Sequence, residues 1–442
     1  MDNTTNLEQE RRDKLVHWSR LIERAAHRGV FGGRIIGPRD CTLVNGPRAG
    51  AIEIDAGLSA GPLLRALQAD ECALLRAFIP WEFVGDPAIF MAGRKIRLEA
   101  GWPRGLAEDN ISLQALGRHP TGGGRWLVGR TERGNTLTAG LYDMTPHWGV
   151  SGTTGSGKTT ALLSAINQLS RDPDNRLILV DAKYGASLRP VANCRGRVGP
   201  LAGDLFTARA ALSWACQEMT HRYSNGRRDH RRLIIVIDEV QDIANDPQTA
   251  EALRLLVAQG RGAHIHTIVA TQHPVIAALG GPTVGRNLVG RLTLKVMDAK
   301  ASEVAMTVTS PRADHLLGHG DAYVMPGPYR VQVAYDDRDP VNGDPEMPDW
   351  PDNVNLPDVS GWPSGPEVAL AILSASLGEG RGRYQHRAEE QGIRVGDNNK
   401  AVRLLQLARE AIAWMEEHGH GLSVCLEVEV HTGPDKEPPE PA

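Results

Sequence analysis

The sequence lacks the features that mark several large classes of protein. Its 442 residues include only five cysteines, which are scattered, with no CxxC pair and no neighbouring pair of histidines. That pattern argues against a zinc site or a disulfide framework and fits a reducing cytoplasm best. No run of about 18 apolar residues occurs, so we expect the chain to have no membrane-spanning helix of its own.

A strong excess of charge of one sign is also missing. Lys and Arg together number 49, Asp and Glu 53, and the formal net charge is -4. A nucleic-acid-binding protein with this balance would have to concentrate its positive charge on one surface, such as a pore lining. The 48 glycines and 28 prolines are numerous and predict long loops between elements.

The order of patterns along the chain predicts an α/β protein with several parts. From about residue 145 to 335, continuous apolar strands alternate with helices, as in a mainly parallel sheet covered on both faces. The clearest predicted strands are Leu177–Asp181, Leu233–Asp238, His266–Thr271 and Arg291–Val296. The expected parts are 1–29, an N-terminal helix; 30–120, a small α/β domain; 121–335, the parallel-sheet domain; 336–365, a Pro/Asp-rich linker; 366–430, a helical or winged-helix domain; and 431–442, a disordered tail.

A phosphate-binding loop is the clearest motif, because residues 152–159 match the pattern GxxxxGK[ST] and a helical pattern follows them. Glycines let backbone N–H groups turn inward around phosphates, and the helix N-terminus adds its positive dipole end. Lys158 is expected to reach the β- and γ-phosphates of ATP, and the Thr159 hydroxyl to bind Mg²⁺. The expected nucleotide-binding residues are Gly152, Thr153, Thr154, Gly155, Ser156, Gly157, Lys158, Thr159 and Thr160.

Polar side chains end two of the predicted strands. Asp238 and Glu239 are adjacent carboxylates directly after an apolar run. Asp238 is expected to hold Mg²⁺ opposite Thr159, and Glu239 to polarise the water that attacks the γ-phosphate. Gln272 ends another apolar strand, where its side chain can hydrogen-bond the γ-phosphate or the attacking water. Adjacent acids in this position indicate a hydrolysing motor rather than a small-molecule kinase.

Further segments surround these motifs in a particular order. They are Met144–Ser151, Val180–Lys183, Leu212–Trp214, Glu218–Tyr223, Gly260–His266, Ala270–Pro274, Asn287–Arg291 and Leu316–Tyr323. Together with the loop and the acidic strand, they resemble the FtsK/SpoIIIE family of DNA translocases. The resemblance covers residues 145–335 well and 30–105 faintly. Two residues depart from the family pattern: Ala182 replaces a usual proline, and His273 stands where arginine is typical.

The resemblance implies a RecA-like ATPase that uses ATP and Mg²⁺ to translocate double-stranded DNA and assembles into a ring homo-oligomer, expected to be a hexamer. It also implies that an arginine of a neighbouring subunit completes each site, with Arg291, Arg286 and Arg261 as candidates. The length, the divergent motif residues and the Gly/Arg/Ala-rich composition look more like plasmid or integrative-element transfer proteins of the TraB-like kind. A cytoplasmic protein, held at the membrane through a partner, is the corresponding expectation.

Other interpretations stay open at this point. The chain could be a coupling or packaging ATPase, or an ATP-switched DNA-binding regulator or replication factor that hydrolyses slowly. Glu239 argues against the switch, because switches often lack a well-placed catalytic acid. In the C-terminal part, predicted helices at 366–377, 383–392 and 399–419 and a strand at 423–430 have the order of a winged helix. The apolar face of the third helix fits a helical packing module equally well.

Overall fold

The fold was obtained as a computed structural model. It describes residues 3–27, 36–57, 60–68, 84–350, 370–375, 377–390 and 398–417, apart from short gaps at 104, 109, 118–121, 143, 225–229 and 372. The chain divides into two compact units, residues 1–354 and 355–442, and each is described by itself. Among the helices of the described ranges, none combines the length and the apolar character that a bilayer crossing requires.

The first unit begins with a four-stranded antiparallel sheet and two helices. Its elements are α1 (Asn3–His27), β1 (Cys41–Asn45), β2 (Ala49–Asp55), α2 (Ala60–Gln68), β3 (Val84–Ala92) and β4 (Lys95–Gly101), with the strand order β1–β2–β4–β3. In α1, Leu15, Trp18 and Ile22 recur every three or four residues, so they share one face of the helix. They pack in a single apolar cluster with Ile52 and Ile54 of β2. We call this part the small sheet.

A nine-stranded sheet, here the large sheet, forms the rest of the first unit. Its strands are β5 (Arg125–Thr131), β6 (Thr136–Gly140), β7 (His147–Ser151), β8 (Asn175–Asp181), β9 (Arg232–Asp238), β10 (Ile265–Thr271), β11 (Gly290–Leu294), β12 (Asp321–Met325) and β13 (Tyr329–Val333). The helices among them are α3 (Lys158–Leu169), α4 (Leu205–Ser224), α5 (Gln241–Ala244), α6 (Pro247–Gln259), α7 (Pro282–Asn287) and α8 (Ala299–Met306). The strand order is β6–β5–β13–β12–β11–β7–β10–β9–β8.

Five adjacent strands of the large sheet, β11, β7, β10, β9 and β8, pair in parallel. Residues 233–237 of β9 are fully buried, because separate apolar clusters cover the two faces of the sheet. The predicted α/β class with a parallel sheet is therefore confirmed. Sequence reasoning did not foresee the other side of the sheet, where β12, β13, β5 and β6 add antiparallel strands. Short connections such as Pro326–Pro328 between β12 and β13 permit only antiparallel pairing.

The strand order also fixes where a ligand can bind. The strand β7 lies between β10 and β11 and runs parallel to both. Carboxyl ends of parallel strands meet at one edge of a sheet, and ligands of open α/β sheets bind in the crevice outside that edge. The residues that follow β7, β9 and β10 are Gly152, Glu239 and Gln272, so three predicted site segments meet there.

The second unit is described only in part and is helical there. Two helices, α9 (Arg381–Glu390) and α10 (Asn398–Glu417), share an apolar cluster with residues 370–375. Tyr384 is fully buried in this cluster, beside Leu404 and Leu405 of α10. The strand expected at 423–430, on which the winged-helix alternative depends, lies outside the described residues, as does the expected tail.

Candidate nucleotide site

The backbone of the phosphate-binding loop is held from both neighbouring strands. Gly152 N–H donates to Thr271 O at 3.2 Å, and Thr153 N–H donates to Lys295 O at 2.9 Å. Gly157 has φ +103°, and a Cβ built there would lie 2.9 Å from the backbone nitrogen of Gly320. Glycine is required at Gly157 for both reasons, because other residues rarely adopt this φ and no space remains for a side chain.

Lys158, at the start of α3, lies between the two predicted carboxylates. Its Nζ is 2.5 Å from Asp238 Oδ1 and 2.8 Å from Glu239 Oε1. The three side chains are at most 4% exposed. The predicted loop lysine and strand-end acids, about 80 residues apart in sequence, thus form one buried ionic cluster.

Glu239 is held in an unusual backbone conformation. Its φ is +50°, a region that non-glycine residues rarely occupy. The second carboxylate oxygen, Oε2, accepts hydrogen bonds from Gln241 Nε2 at 2.5 Å and from Gln272 N–H at 3.1 Å. Burial opposes ionisation, but the hydrogen bonds from Lys158 and Gln241 outweigh it and lower the pKa of Glu239 below its ordinary value. Glu239 is therefore an ionised carboxylate aimed by several contacts.

The donor set of the site fits a magnesium ion. Asp238 is 1% exposed, and its Oδ2 has no hydrogen-bond partner in the described part of the chain. A buried carboxylate oxygen without a partner is costly, and a bound cation would satisfy it. Thr159 is the next residue after Lys158 and supplies a hydroxyl at the same edge, and Mg²⁺ prefers such oxygen ligands together with substrate phosphates and water.

Gln272 connects the loop to the catalytic acid. Thr154 Oγ1 donates to Gln272 Oε1 at 3.0 Å, while the backbone N–H of Gln272 donates to Glu239. The preceding Thr271 donates through Oγ1 to Gln241 Oε1 at 2.9 Å. Gln272 thus contacts both the phosphate-binding loop and the acid that would activate water.

A cavity of about 350 Å³ lies over the loop. Most of the predicted nucleotide-binding residues line it, including Lys158 and Thr159, and so does Gln272, which was predicted to be catalytic. Sequence reasoning missed the residues on its far side, which are Asn110, His319, Gly320, Gln332, Val333 and Tyr335. The motif segment Leu316–Tyr323 was a signal for two of them, but nothing in the sequence connects Asn110 or Tyr335 to the loop.

The three arginines considered for a role in a neighbouring site are placed very differently. Arg291 is 6% exposed, and its guanidinium donates to Val304 O, Ala305 O and Gly285 O at 3.3, 3.1 and 2.5 Å. Burial lowers its pKa. In this structure Arg291 ties β11 to α7 and α8, and its expected role in a neighbouring site stays a prediction. Arg261 and Arg286 are exposed.

Part of the chain, including this site, is similar to known proteins. Residues 119–308 match the FtsK/SpoIIIE family. DNA translocase FtsK of Caldanaerobacter subterraneus subsp. tengcongensis is 30% identical over 233 residues, which are 47% of this chain and 32% of that protein. DNA translocase SftA of Bacillus subtilis is 29% identical over 215 residues, which are 42% of this chain and 22% of that protein. The chain thus covers a third or less of the length of these relatives.

Two solved structures are similar to part of this chain. The conjugation coupling protein TcpA of pCW3, in its monomer form with ATPγS, is 16% identical, with 71% of this chain and 94% of that chain covered and a TM-score of 0.48. The cytoplasmic domain of the type VII secretion ATPase EccC of Thermomonospora curvata is 22% identical, with 52% and 32% covered and a TM-score of 0.46. Both scores are below 0.5 and establish nothing further about this chain.

The sequence match covers the loop, the acidic strand and Gln272, which the fold brings together at one edge of the large sheet. Motif order, strand order and site geometry therefore agree over residues 119–308, the part of the chain that matches the FtsK/SpoIIIE family.

Proposed function

We propose that this protein is a motor that hydrolyses ATP and moves double-stranded DNA. The observation that carries the proposal is the buried cluster of Lys158, Asp238 and Glu239 at the end of the phosphate-binding loop. A nucleotide-binding protein without hydrolysis needs the lysine, but it does not need a second carboxylate that several contacts hold in a rare backbone conformation.

The residues of the site divide the work of phosphoryl transfer. The N–H groups of the loop and Lys158 Nζ hold the phosphates, and Thr159 with Asp238 would hold Mg²⁺, which neutralises charge on the phosphate oxygens. Glu239 accepts the proton of the attacking water. Gln272 contacts Thr154 of the loop and Glu239, and it directly follows β10. The loss of the γ-phosphate on hydrolysis would therefore shift Gln272 and, with it, the end of β10.

Lys158 also gives the site a simple control. It is shared by Asp238 and Glu239 in the structure, and a γ-phosphate would compete for the same ammonium group. Drawing Lys158 towards the phosphate would leave Glu239 with fewer stabilising contacts and make it a stronger base. Hydrolysis would in this way depend on a correctly bound triphosphate.

The DNA substrate, the ring and the biological setting are further parts of the proposal. Matched relatives are named DNA translocases, which supports DNA as the substrate. In a ring, the exposed Arg286 or Arg261 would complete the site of the next subunit, because both lie outside their own phosphate-binding cavity. Conjugal transfer of a plasmid or integrative element, with a membrane partner, rests on composition and on the divergent residues Ala182 and His273.

Mixing subunits tests the proposed arginine. Of the two substitutions Arg286→Ala and Arg261→Ala, we expect one to abolish hydrolysis while ATP binding stays within about twofold of the wild type. When that variant is mixed with wild-type subunits, the ATPase rate should fall by more than the fraction of variant added. Mixtures whose rate falls only in proportion to the added variant, for both substitutions, would contradict an arginine in trans.

The first experiment is the ATPase rate of the full chain with and without long double-stranded DNA, for the wild type and for Glu239→Ala. We expect strong stimulation by DNA, and its loss in the variant. Loss of about 100-fold or more is expected for a missing general base. A slow rate that ignores DNA would overturn the motor and favour an ATP-switched regulator or an ATPase that acts on protein.

A further inference from the structure

A chain of side-chain hydrogen bonds joins the ends of β9 and β10 beside the candidate catalytic acid. Gln241 is the first residue of α5 and lies two residues after Glu239. Its Nε2 donates to Glu239 Oε2 at 2.5 Å, and its Oε1 accepts from Thr271 Oγ1 at 2.9 Å. Thr271 is the last residue of β10 and is fully buried. The side chain of Gln241 therefore bridges the acid and the neighbouring strand.

The direction of these hydrogen bonds is fixed from the far end of the chain. Thr271 Oγ1 accepts a hydrogen bond from His273 N–H at 3.1 Å and donates its own proton to Gln241 Oε1. An amide side chain has one acceptor oxygen and one donor nitrogen. With its oxygen occupied by Thr271, Gln241 presents an N–H group to Glu239, and an ionised carboxylate can only accept. The hydroxyl of Thr271 thus determines which end of the amide faces the acid.

The two oxygens of the Glu239 carboxylate are held by different kinds of group. Oε2 accepts from Gln241 Nε2 at 2.5 Å and from Gln272 N–H at 3.1 Å, and both donors are neutral. Oε1 lies 2.8 Å from Lys158 Nζ, an ammonium group of the phosphate-binding loop motif. A γ-phosphate competes for this ammonium group but not for the neutral donors. Binding of a triphosphate would therefore free Oε1 while Oε2 stays held.

The end of β10 is attached to the phosphate-binding loop as well. The carbonyl of Thr271 accepts a hydrogen bond from Gly152 N–H at 3.2 Å, and β10 pairs in parallel with β7, the strand that leads into the loop. Gln272, the next residue, accepts from Thr154 Oγ1 at 3.0 Å. The same short segment therefore holds the loop through its backbone and the acid through the Thr271 hydroxyl, which fixes the position of one relative to the other.

We propose that Gln241 is the positioning residue of the catalytic acid and that Thr271 holds Gln241 in the orientation this requires. Gln241 and Gln272 fix Oε2, and Oε1 becomes the base once the γ-phosphate has drawn Lys158 away. As the water oxygen bonds to the γ-phosphorus, its proton passes to Oε1 and the bond to the leaving ADP oxygen breaks. The described residues that line the nucleotide cavity do not include Gln241 or Thr271, so both act through Glu239. The inference rests on the proposed function, because it concerns the same hydrolytic site.

Steady-state hydrolysis of magnesium ATP by the full chain, with long double-stranded DNA present, tests Gln241. Gln241→Met keeps the length of the side chain and removes the amide, so kcat should fall about tenfold or more because the base is misplaced. The KM for ATP should stay within about twofold. Gln248→Met makes the same chemical change in the next helix, α6, and should alter neither constant. An unchanged kcat in Gln241→Met would overturn the proposal.

Two substitutions of Thr271 test the second part of the proposal. Thr271→Val removes the hydroxyl but keeps the branched shape, and kcat should fall about fivefold, as expected for one lost hydrogen bond. Thr271→Ser keeps the hydroxyl, and kcat should stay within about twofold of the wild type. Equal values of kcat in the two variants would show that the hydroxyl does not orient Gln241.

A background without the catalytic acid separates positioning from a general effect on the fold. If Gln241 acts through Glu239, the residual rate of Glu239→Ala should not change when Gln241→Met is added. A further fall in the double variant would show that Gln241 supports the fold instead, which would overturn this inference and leave the motor standing. A wild type that does not hydrolyse ATP would overturn the motor and, with it, this inference.

Discussion

At the scale of single residues, the site combines groups that are each unfavourable alone. Asp238 buries a carboxylate oxygen without a partner, and Glu239 adopts a positive φ. Each such feature costs about 1–3 kcal/mol and persists only where surrounding contacts hold it. Here Lys158, Gln241 and the backbone of Gln272 supply those contacts. These unfavourable features leave the Asp238 oxygen available for a cation and orient Glu239 towards a water molecule, which explains why the fold tolerates them.

Asp238→Asn tests the role of the unpartnered oxygen. The amide keeps an oxygen for Lys158 but removes the negative charge that would hold Mg²⁺, so the magnesium concentration for half-maximal hydrolysis should rise about tenfold. The measurement is an ATPase titration with Mg²⁺. Asp242→Asn is the matched control, since Asp242 is a nearby carboxylate that pairs with Lys183 at 3.5 Å. An unchanged magnesium requirement in Asp238→Asn would remove Asp238 from the metal site.

His147, at the start of β7, makes stability depend on pH. Its Nδ1 accepts a hydrogen bond from Thr267 N–H at 3.1 Å, and burial lowers the pKa of His147 to about 4. The unfolded chain takes up this proton near pH 6.5, whereas the folded chain does not, so stability is lost as pH falls below about 6.5. We expect His147 alone to cost about 2 kcal/mol between pH 7.5 and 5.

His147→Asn provides the comparison for that prediction, because an amide oxygen can replace Nδ1 as the acceptor and cannot take up a proton. Urea unfolding at pH 7.5, 6 and 5 should show a smaller loss of stability in the variant than in the wild type. His266, whose pKa burial lowers to about 3, keeps part of the dependence in both proteins. Parallel pH profiles would show that His147 does not contribute.

At the scale of elements, the loop that enters β12 joins the nucleotide site to the rest of the first unit. Gly318 and Gly320 have φ of +83° and +86°. Gly318 has open space at its Cβ position, whereas Gly320 does not. On the outer side of the loop, Arg48 of the small-sheet region donates to Gly318 O at 2.7 Å. The loop therefore contacts Ser156 on one side and the small-sheet region on the other.

Substituting each of the two glycines separates the effect of backbone strain, which both positions share, from the effect of a side-chain clash, which only Gly320 would have. Both Gly318→Ala and Gly320→Ala should destabilise the fold by about 1–3 kcal/mol, because alanine is strained at positive φ. Only Gly320→Ala pushes on Gln332, so only it should weaken ATP binding, by about fivefold or more, in calorimetric titration. Equal ATP affinities in the two variants would show that the contact does not matter for the nucleotide.

At the scale of the whole first unit, the small and large sheets are joined by a buried ionic network. Glu99 of β4 accepts hydrogen bonds from Tyr323 at 2.7 Å and from Arg330 at 2.8 Å, and Arg330 also pairs with Asp321 at 2.6 Å. Burial opposes ionisation of Glu99, but Arg97 and Arg330 outweigh it and lower its pKa to about 2. The contribution of Glu99 to stability is therefore present above about pH 4.3 and is lost as pH falls towards 2.

Glu99→Gln should destabilise this unit strongly. The substitution leaves Arg97 and Arg330 as buried cations with one fewer counter-charge, which costs about 3–5 kcal/mol. Denaturant unfolding at neutral pH measures the loss. Glu251→Gln breaks an exposed pair with Arg254 and should leave the stability almost unchanged. Similar small losses in both variants would mean that the network does not hold the two sheets together.

Much of the site could be predicted from sequence, because its parts are local patterns. A loop with glycines at fixed positions before a helix, or an apolar run that ends in two acids, has the same backbone consequences wherever it occurs. The parallel strands of the large sheet were predictable for the same reason, since continuous apolar runs indicate strands buried on both faces. These patterns were sufficient to identify Lys158, Asp238 and Glu239 as candidates.

Features that depend on contacts between distant segments of the chain could be seen only in the tertiary structure. The motif that suggested Arg291 as a partner of a neighbouring site could not reveal that three carbonyl groups enclose its guanidinium. Asn110 and Tyr335 meet at the cavity because β5 and β13 pair in the large sheet, and Glu99 meets Arg330 because two sheets pack together. Local patterns determine backbone conformation, but burial and partners follow from long-range packing, which no short segment encodes.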